Sequence, residues 1–167
     1  MRQRNAALAS AAFFVVAPGT FAGLGPWLIT RWQITEAGAG WRVVQALGVV
    51  LIVVGIIPPV HAFVEFVRAG GTPMPIAAPK RLVVTGFNRY IRNPMYFGLL
   101  LVVLGQAMLF ASLGLVVYAL VFWAITAAFV RWYEEPTLTL QFGADYVAYK
   151  RGVPAWWPRL RPWPGPA

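Results

Sequence analysis

Four apolar runs, at residues 6–29, 43–66, 94–110 and 113–133, constrain this chain more than anything else in its sequence. A helix needs about 20 apolar residues to cross a bilayer, and no run carries Lys or Arg before the last residues of the fourth. The reading is a single all-α integral membrane domain over residues 1–167, with about four transmembrane helices. Composition agrees. Hydrophobic residues are 59% and charged residues 11% of 167, with a mean hydropathy of +0.65, too little polar surface for a soluble domain. The third run is short, and only Ala111 and Ser112 part it from the fourth, which predicts a tight helical hairpin. The first run follows Arg2 and Arg4 as a signal peptide would. It continues past Ala22 to Ile29 without a clean cleavage site, so it is read as a retained span.

The net charge is +9. In a soluble protein that would suggest nucleic acid. Here the arginines flank apolar runs, which points instead to anionic headgroups and to orientation in the bilayer, with no nucleic-acid partner. With the N-terminus inside, twelve of the fourteen basic residues are cytoplasmic and only Arg31 and Arg42 lie outside. Both termini are then cytoplasmic, in what is read as a bacterial inner membrane. Trp27, Trp32 and Trp41 mark the outer interface, and Trp132, Trp156 and Trp157 the inner one. With no cysteine, thiolate catalysis is excluded. His61 is the single histidine, so no multi-histidine metal site can form within one chain.

Polar sequence gathers on the cytoplasmic side, in residues 68–93 and after Tyr133. The first stretch carries Gly70, Gly71, Pro73, Pro75 and Pro79, which forbid a continuous helix and predict an irregular loop. In the second, Leu138, Phe142, Tyr146 and Tyr149 recur at helical spacing. Residues 137–151 therefore read as an amphipathic helix lying on the membrane. The Pro- and Trp-rich tail beyond Val153 is expected along the interface.

Glu134 and Glu135 are two of only five acids and stand at the C-terminal end of the fourth span, where the helix dipole disfavours carboxylates. Either they face a cationic or hydroxylated ligand, or they form a solvated helix end neutralised by Arg131. Arg89-Tyr90-Ile91-Arg92-Asn93-Pro94-Met95-Tyr96 is the second cluster. Asn93 followed by Pro94 reads as an N-cap and first helical residue. That leaves the crowded arginines and tyrosines unexplained, and a helix start with arginines suits a carboxylate. If the clusters meet, a zwitterion fits both. His61 and Glu65 share a helical face past Pro58-Pro59, which predict a kink. They are either a mutually satisfied interfacial pair or the lining of a substrate entrance.

The runs Gly71-Thr72-Pro73-Met74-Pro75, Leu82-Val83-Val84-Thr85-Gly86 and Arg89 to Gly98 together resemble the isoprenylcysteine carboxyl methyltransferase-like family of membrane methyltransferases. So do Glu134-Glu135-Pro136-Thr137-Leu138, Phe142-Gly143, Tyr146, Tyr149 and Val153-Pro154. The family also includes phospholipid methyltransferases, and the resemblance covers roughly residues 70–159. It implies S-adenosylmethionine as cofactor, held by Gly86, Tyr90, Arg92, Asn93, Pro94, Met95, Tyr96, Gly98, Glu134 and Glu135. It further implies a lipophilic or lipid acceptor reached from the bilayer. Asn93 stands where the prenylcysteine enzymes typically carry His, and Ala155 where Arg often follows Val-Pro, so the prenylcysteine substrate is not carried over. No residue stands out as a general base. The rival readings are a membrane reductase of related architecture using a nicotinamide cofactor, and a small transporter or scaffold subunit.

Overall fold

The computed structural model describes residues 16–34, 38, 40–68, 82 and 84–165. Expectations on residues 6–15, on the Gly71–Pro75 motif and on the side chain of Glu65 lie outside the described residues. The described chain is helical, with no strand. Residues 16–30 form one helical segment: residues 16–19, a π-turn at Thr20–Leu24, and α1, Gly25–Thr30. Then come α2, Trp41–Arg68; α3, Pro94–Leu109; and α4, Leu113–Phe129. A second π-turn, Val130–Glu134, leads into α5, Glu135–Phe142, and α6, Ala144–Gly152, follows. Two helical stretches, Trp41–Val64 and Leu113–Phe142, are long and apolar enough to cross a membrane, and Pro94–Leu109 is a shorter apolar helix.

The antiparallel pair α2–α3 is the centre of the fold, and four glycines set its spacing. A Cβ placed on Gly48 would lie 2.6 Å from the Gly105 carbonyl oxygen, and one on Gly55 2.7 Å from that of Gly98. The reverse approaches, from Gly98 and Gly105, are both 2.5 Å. Backbone therefore packs on backbone at two levels, about two turns apart. In lipid no hydrophobic force holds helices together, so close van der Waals contact and Cα–H···O contacts take over. α2 continues as a helix through Pro58 and Pro59, and the Pro59 ring rests against Gly98. At the far end of the pair, Trp41 donates from Nε1 to the Met108 carbonyl (3.2 Å) and Gln45 from Nε2 to that of Leu109 (3.1 Å). Those are last-turn carbonyls of α3, which lack helical partners. Trp41 thus ties down a helix end as well as standing at a span boundary.

The predicted hairpin is present. Ser112 accepts a hydrogen bond from the Leu115 amide (3.3 Å) as N-cap of α4, and Ala111 takes the left-handed backbone of the turn. The first π-turn has its own partners: Gln106 donates to the Ala22 carbonyl (2.7 Å) and the Tyr118 hydroxyl to that of Phe21 (3.1 Å). A buried amide on an apolar helix is thereby satisfied by backbone that the π-turn makes available.

Two expectations for the C-terminal region need correcting. Gly143, at φ +54, breaks residues 137–151 into α5 and α6. The apolar face is also turned inward. Tyr146, Tyr149 and Val153 form a buried cluster, with Leu82, Val84, Leu138, Phe142 and Trp163 packed against it. The tail supplies part of this cover, with the Trp163 ring 5.6 Å from that of Tyr149 between centroids. The Trp156 ring meets Trp123 edge-on, 6.3 Å between centroids, well within the length of α4 rather than at its C-terminal end.

The glycine seam makes a direct prediction. Gly98→Leu should destabilise the protein by at least the ~1–3 kcal/mol typical of overpacking, seen as a lowered thermal midpoint in detergent micelles. Gly23→Ala, where an added Cβ meets nothing within 4 Å, should be neutral or slightly stabilising.

Candidate functional site

Adjacent residues on an α-helix point about 100° apart, so two consecutive glutamates do not ordinarily share one pocket. The π-turn at Val130–Glu134 changes the register just before Glu135. Arg131 and Trp132 remain exposed, while Glu135 is buried and Glu134 is half-buried. Arg131 therefore does not neutralise the glutamates. Arg92 does, from the loop ahead of α3: its Nη1 lies 2.5 Å from Glu135 Oε1, with both side chains about nine-tenths buried (10% and 8% exposed). Lys150 on α6 closes on Glu135 Oε2 from the other side. The two clusters singled out in the sequence are joined by this ion pair.

The rest of the Arg92–Asn93 corner is tied to the tail. Arg92 donates from Nε to the Val153 carbonyl (2.8 Å) and from its amide to that of Pro154 (2.9 Å). Asn93 donates from Nδ2 to the Ala155 carbonyl (3.1 Å). Its side chain does not cap α3, contrary to the sequence reading, because the tail carbonyl claims it. Pro94 does occupy the first turn. Further along, the Arg159 amide donates to Tyr90 O and the Trp163 amide to Arg89 O, both at 2.9 Å, and Arg89 Nε returns a bond to Trp163 O at 2.9 Å. The Tyr149 hydroxyl donates to the Asn88 carbonyl at 2.7 Å. Burial pushes the Tyr149 phenol well above its usual range, so it stays a protonated donor, and burial raises that of Tyr146 despite the hydrogen bond its oxygen accepts from Arg92. Gly152 is required here, since any Cβ would run into the Trp163 indole.

One polar atom is left over. Glu134 Oε2 is buried and has no hydrogen-bond partner among the described residues. It lies within electrostatic reach of Glu135, Arg92 and Tyr96. Tyr96, from the first turn of α3, meets Phe122 edge-on at 6.4 Å. A buried carboxylate oxygen without a donor is costly, and an ammonium or hydroxyl group on a ligand would satisfy it. The expected anion recognition by Arg92 is a different matter. Nε and Nη1 are already committed to Val153 and Glu135, so its main work is holding the site together.

Other expected site residues are placed elsewhere. Gly98 faces α2 in the glycine seam, and Met95, three residues earlier in the first turn of α3, is half-buried. Gly86 has φ +53 and abuts His61, whose ring meets Phe87 edge-on at 5.1 Å. Gly86 also borders a cavity of about 840 Å³ with Val84, Arg89, Asp145 and Trp163, which Arg92, Asn93, Glu134 and Glu135 do not line. Sequence reasoning missed the part played by the tail carbonyls of Val153, Pro154 and Ala155. Only the Val-Pro pair hinted at it.

The ion pair can be weighed. Glu135→Gln strands Arg92 without its counter-charge and should cost about 3–5 kcal/mol. Lys150→Ala removes a partner that is 41% exposed and should cost under about 1 kcal/mol. Chemical denaturation of the two variants in micelles checks the order.

With this geometry in place, comparison with known proteins is informative. The family described as phospholipid methyltransferase matches residues 43–145, from early in α2 to the start of α6. The match takes in the glycine seam, the Arg92–Asn93 corner and both glutamates, and leaves out the tail. No curated protein and no solved structure matches the chain. Because the matched residues are well over half of the 167, the chain belongs to the phospholipid methyltransferase family.

Proposed function

We propose that the protein transfers a methyl group from S-adenosylmethionine to a lipophilic acceptor at the cytoplasmic face of a membrane. The observation that carries this reading is Glu134 Oε2, buried and without a hydrogen-bond partner among the described residues, beside the Arg92–Glu135 ion pair in a chain of a methyltransferase family. When bound, S-adenosylmethionine supplies an electrophilic methyl group on a sulfonium. Its amine and ribose hydroxyls are the donors that the free oxygen of Glu134 lacks. Glu135 and Lys150 hold Arg92 in place, and Arg92 and Asn93 hold the tail over the start of α3. In this reading Tyr90, Pro94, Met95 and Tyr96 shape the cofactor's surroundings, and Gly98 fixes the depth of α3 against α2.

Methyl transfer is an in-line displacement, so the protein's task is chiefly to align two reactants and exclude water. Alignment of that kind can supply about 7–11 kcal/mol of barrier lowering. A carboxylate acceptor needs no base, whereas an amine or thiol must lose a proton. The buried and half-buried residues on α3 and α4 give the site a dry wall. The same reading sets four spans with both termini in the cytoplasm, following the basic residues, and places His61 and Glu65 near the acceptor's entrance.

Glu134→Gln should weaken S-adenosylmethionine binding at least tenfold in isothermal titration while leaving the thermal midpoint unchanged or raised, because it removes a desolvated charge. Binding of NADPH in place of S-adenosylmethionine, or unaltered affinity in the variant, would contradict the proposal.

A further inference from the structure

A second cavity, an apolar groove of about 570 Å³, runs between residues 16–30, α2 and α3. Its walls include Gly19, Ala22, Ile56, Pro59, Leu99 and Val102. Gln106 is its polar residue, and the amide nitrogen is already spent on the Ala22 carbonyl. Small residues open the groove: a Cβ added at Gly19 meets nothing within 4 Å. Such a cleft admits no polar ligand, since nothing in it would replace the lost hydration.

Three features fit it to a hydrocarbon chain. Along α3 it extends from Leu99 to Leu109, about 15 Å at the helical rise. That is half the about 30 Å hydrocarbon core of a bilayer, the depth that one leaflet's chains fill. Its inner end at Leu99 lies about one turn beyond Tyr96, so it starts next to the candidate site. Its outer end meets Trp32, which is more than half exposed and follows Arg31 in a pair of left-handed non-glycine residues. That backbone is strained, and strain of this kind gathers at ligand clamps and closures.

We infer that this groove holds a single hydrocarbon chain of the acceptor, its reactive end at the level of Tyr96 and Glu134 and its far end under Trp32. The inference rests on the proposed methyl transfer, and it adds where one unbranched or lightly branched chain of the acceptor, about one leaflet long, is held.

A palmitic acid bearing a diazirine near mid-chain is the probe, added to the full-length protein in lipid nanodiscs and photolysed. The expected result is labelling, assigned to single residues, at groove-wall positions such as Ala22, Ile52, Ile56, Leu99 and Val102. Gly19→Phe, which fills open space, should cut that labelling at least fivefold. Ile56→Trp on the facing wall, 46% exposed, serves the same purpose if the first variant does not fold. S-adenosylmethionine titration of both variants should be unchanged, so failure of the groove and failure of cofactor binding are read separately. Labelling spread over outward residues such as Val53, Leu120 and Ile125, and undiminished in both variants, would overturn the inference.

Discussion

The α2–α3 contact rests on the absence of four side chains. Gly48 against Gly105 and Gly55 against Gly98 bring two backbones together, and no other residue type allows that approach. Everything polar on the proposed cytoplasmic side hangs from this pair. The seam fixes where α3 begins, and α3's start fixes Arg92 and Asn93. Arg92 then reaches Glu135, and through Glu135 it fixes the end of the α4 stretch. The candidate site is accordingly built from outside in: the helices set a depth, and loop and tail close around it at that depth.

The completion is done with backbone as much as with side chains. Carbonyls of Val153, Pro154 and Ala155 take donors from Arg92 and Asn93, while the tail amides of Arg159 and Trp163 return bonds to the loop. Loop and tail are each irregular, and each satisfies the other's backbone in place of water. The buried Tyr146–Tyr149–Val153 cluster supplies the apolar floor for that exchange. Against this background, in which most buried polar atoms find partners, the Glu134 oxygen stands out as the one buried side-chain atom without a hydrogen-bond partner among the described residues.

Much of this was legible in the sequence, and the limits have physical causes. Apolar runs gave the helices and their hairpin, because 59% hydrophobic composition with so few charges admits little else. The sequence offers the meeting of the Arg92 and Glu134–Glu135 clusters only as a condition, and the Arg92–Glu135 ion pair fulfils it. Asn93 holds the N-cap position, but its side chain turns to a carbonyl 62 residues away, which local rules cannot see. The face of Leu138, Phe142, Tyr146 and Tyr149 was assigned to lipid because periodicity shows that a face is buried, never by what. The π-turns at Thr20–Leu24 and Val130–Glu134 left no readable mark; they are settled by tertiary partners, Gln106 and Tyr118 for one and Arg92 for the other. Gly98 sat inside a motif read as cofactor contact, yet glycine there is demanded first by α2.

The central claim is that one protein joins a nucleoside methyl donor to a lipid-soluble acceptor. It is tested most directly by incubating the purified protein in native-lipid vesicles with methyl-labelled S-adenosylmethionine and counting label in the organic extract. The account predicts label that accumulates in the extract with time, that requires Glu134, and that S-adenosylhomocysteine suppresses. Label confined to the aqueous phase with folded protein present would contradict it.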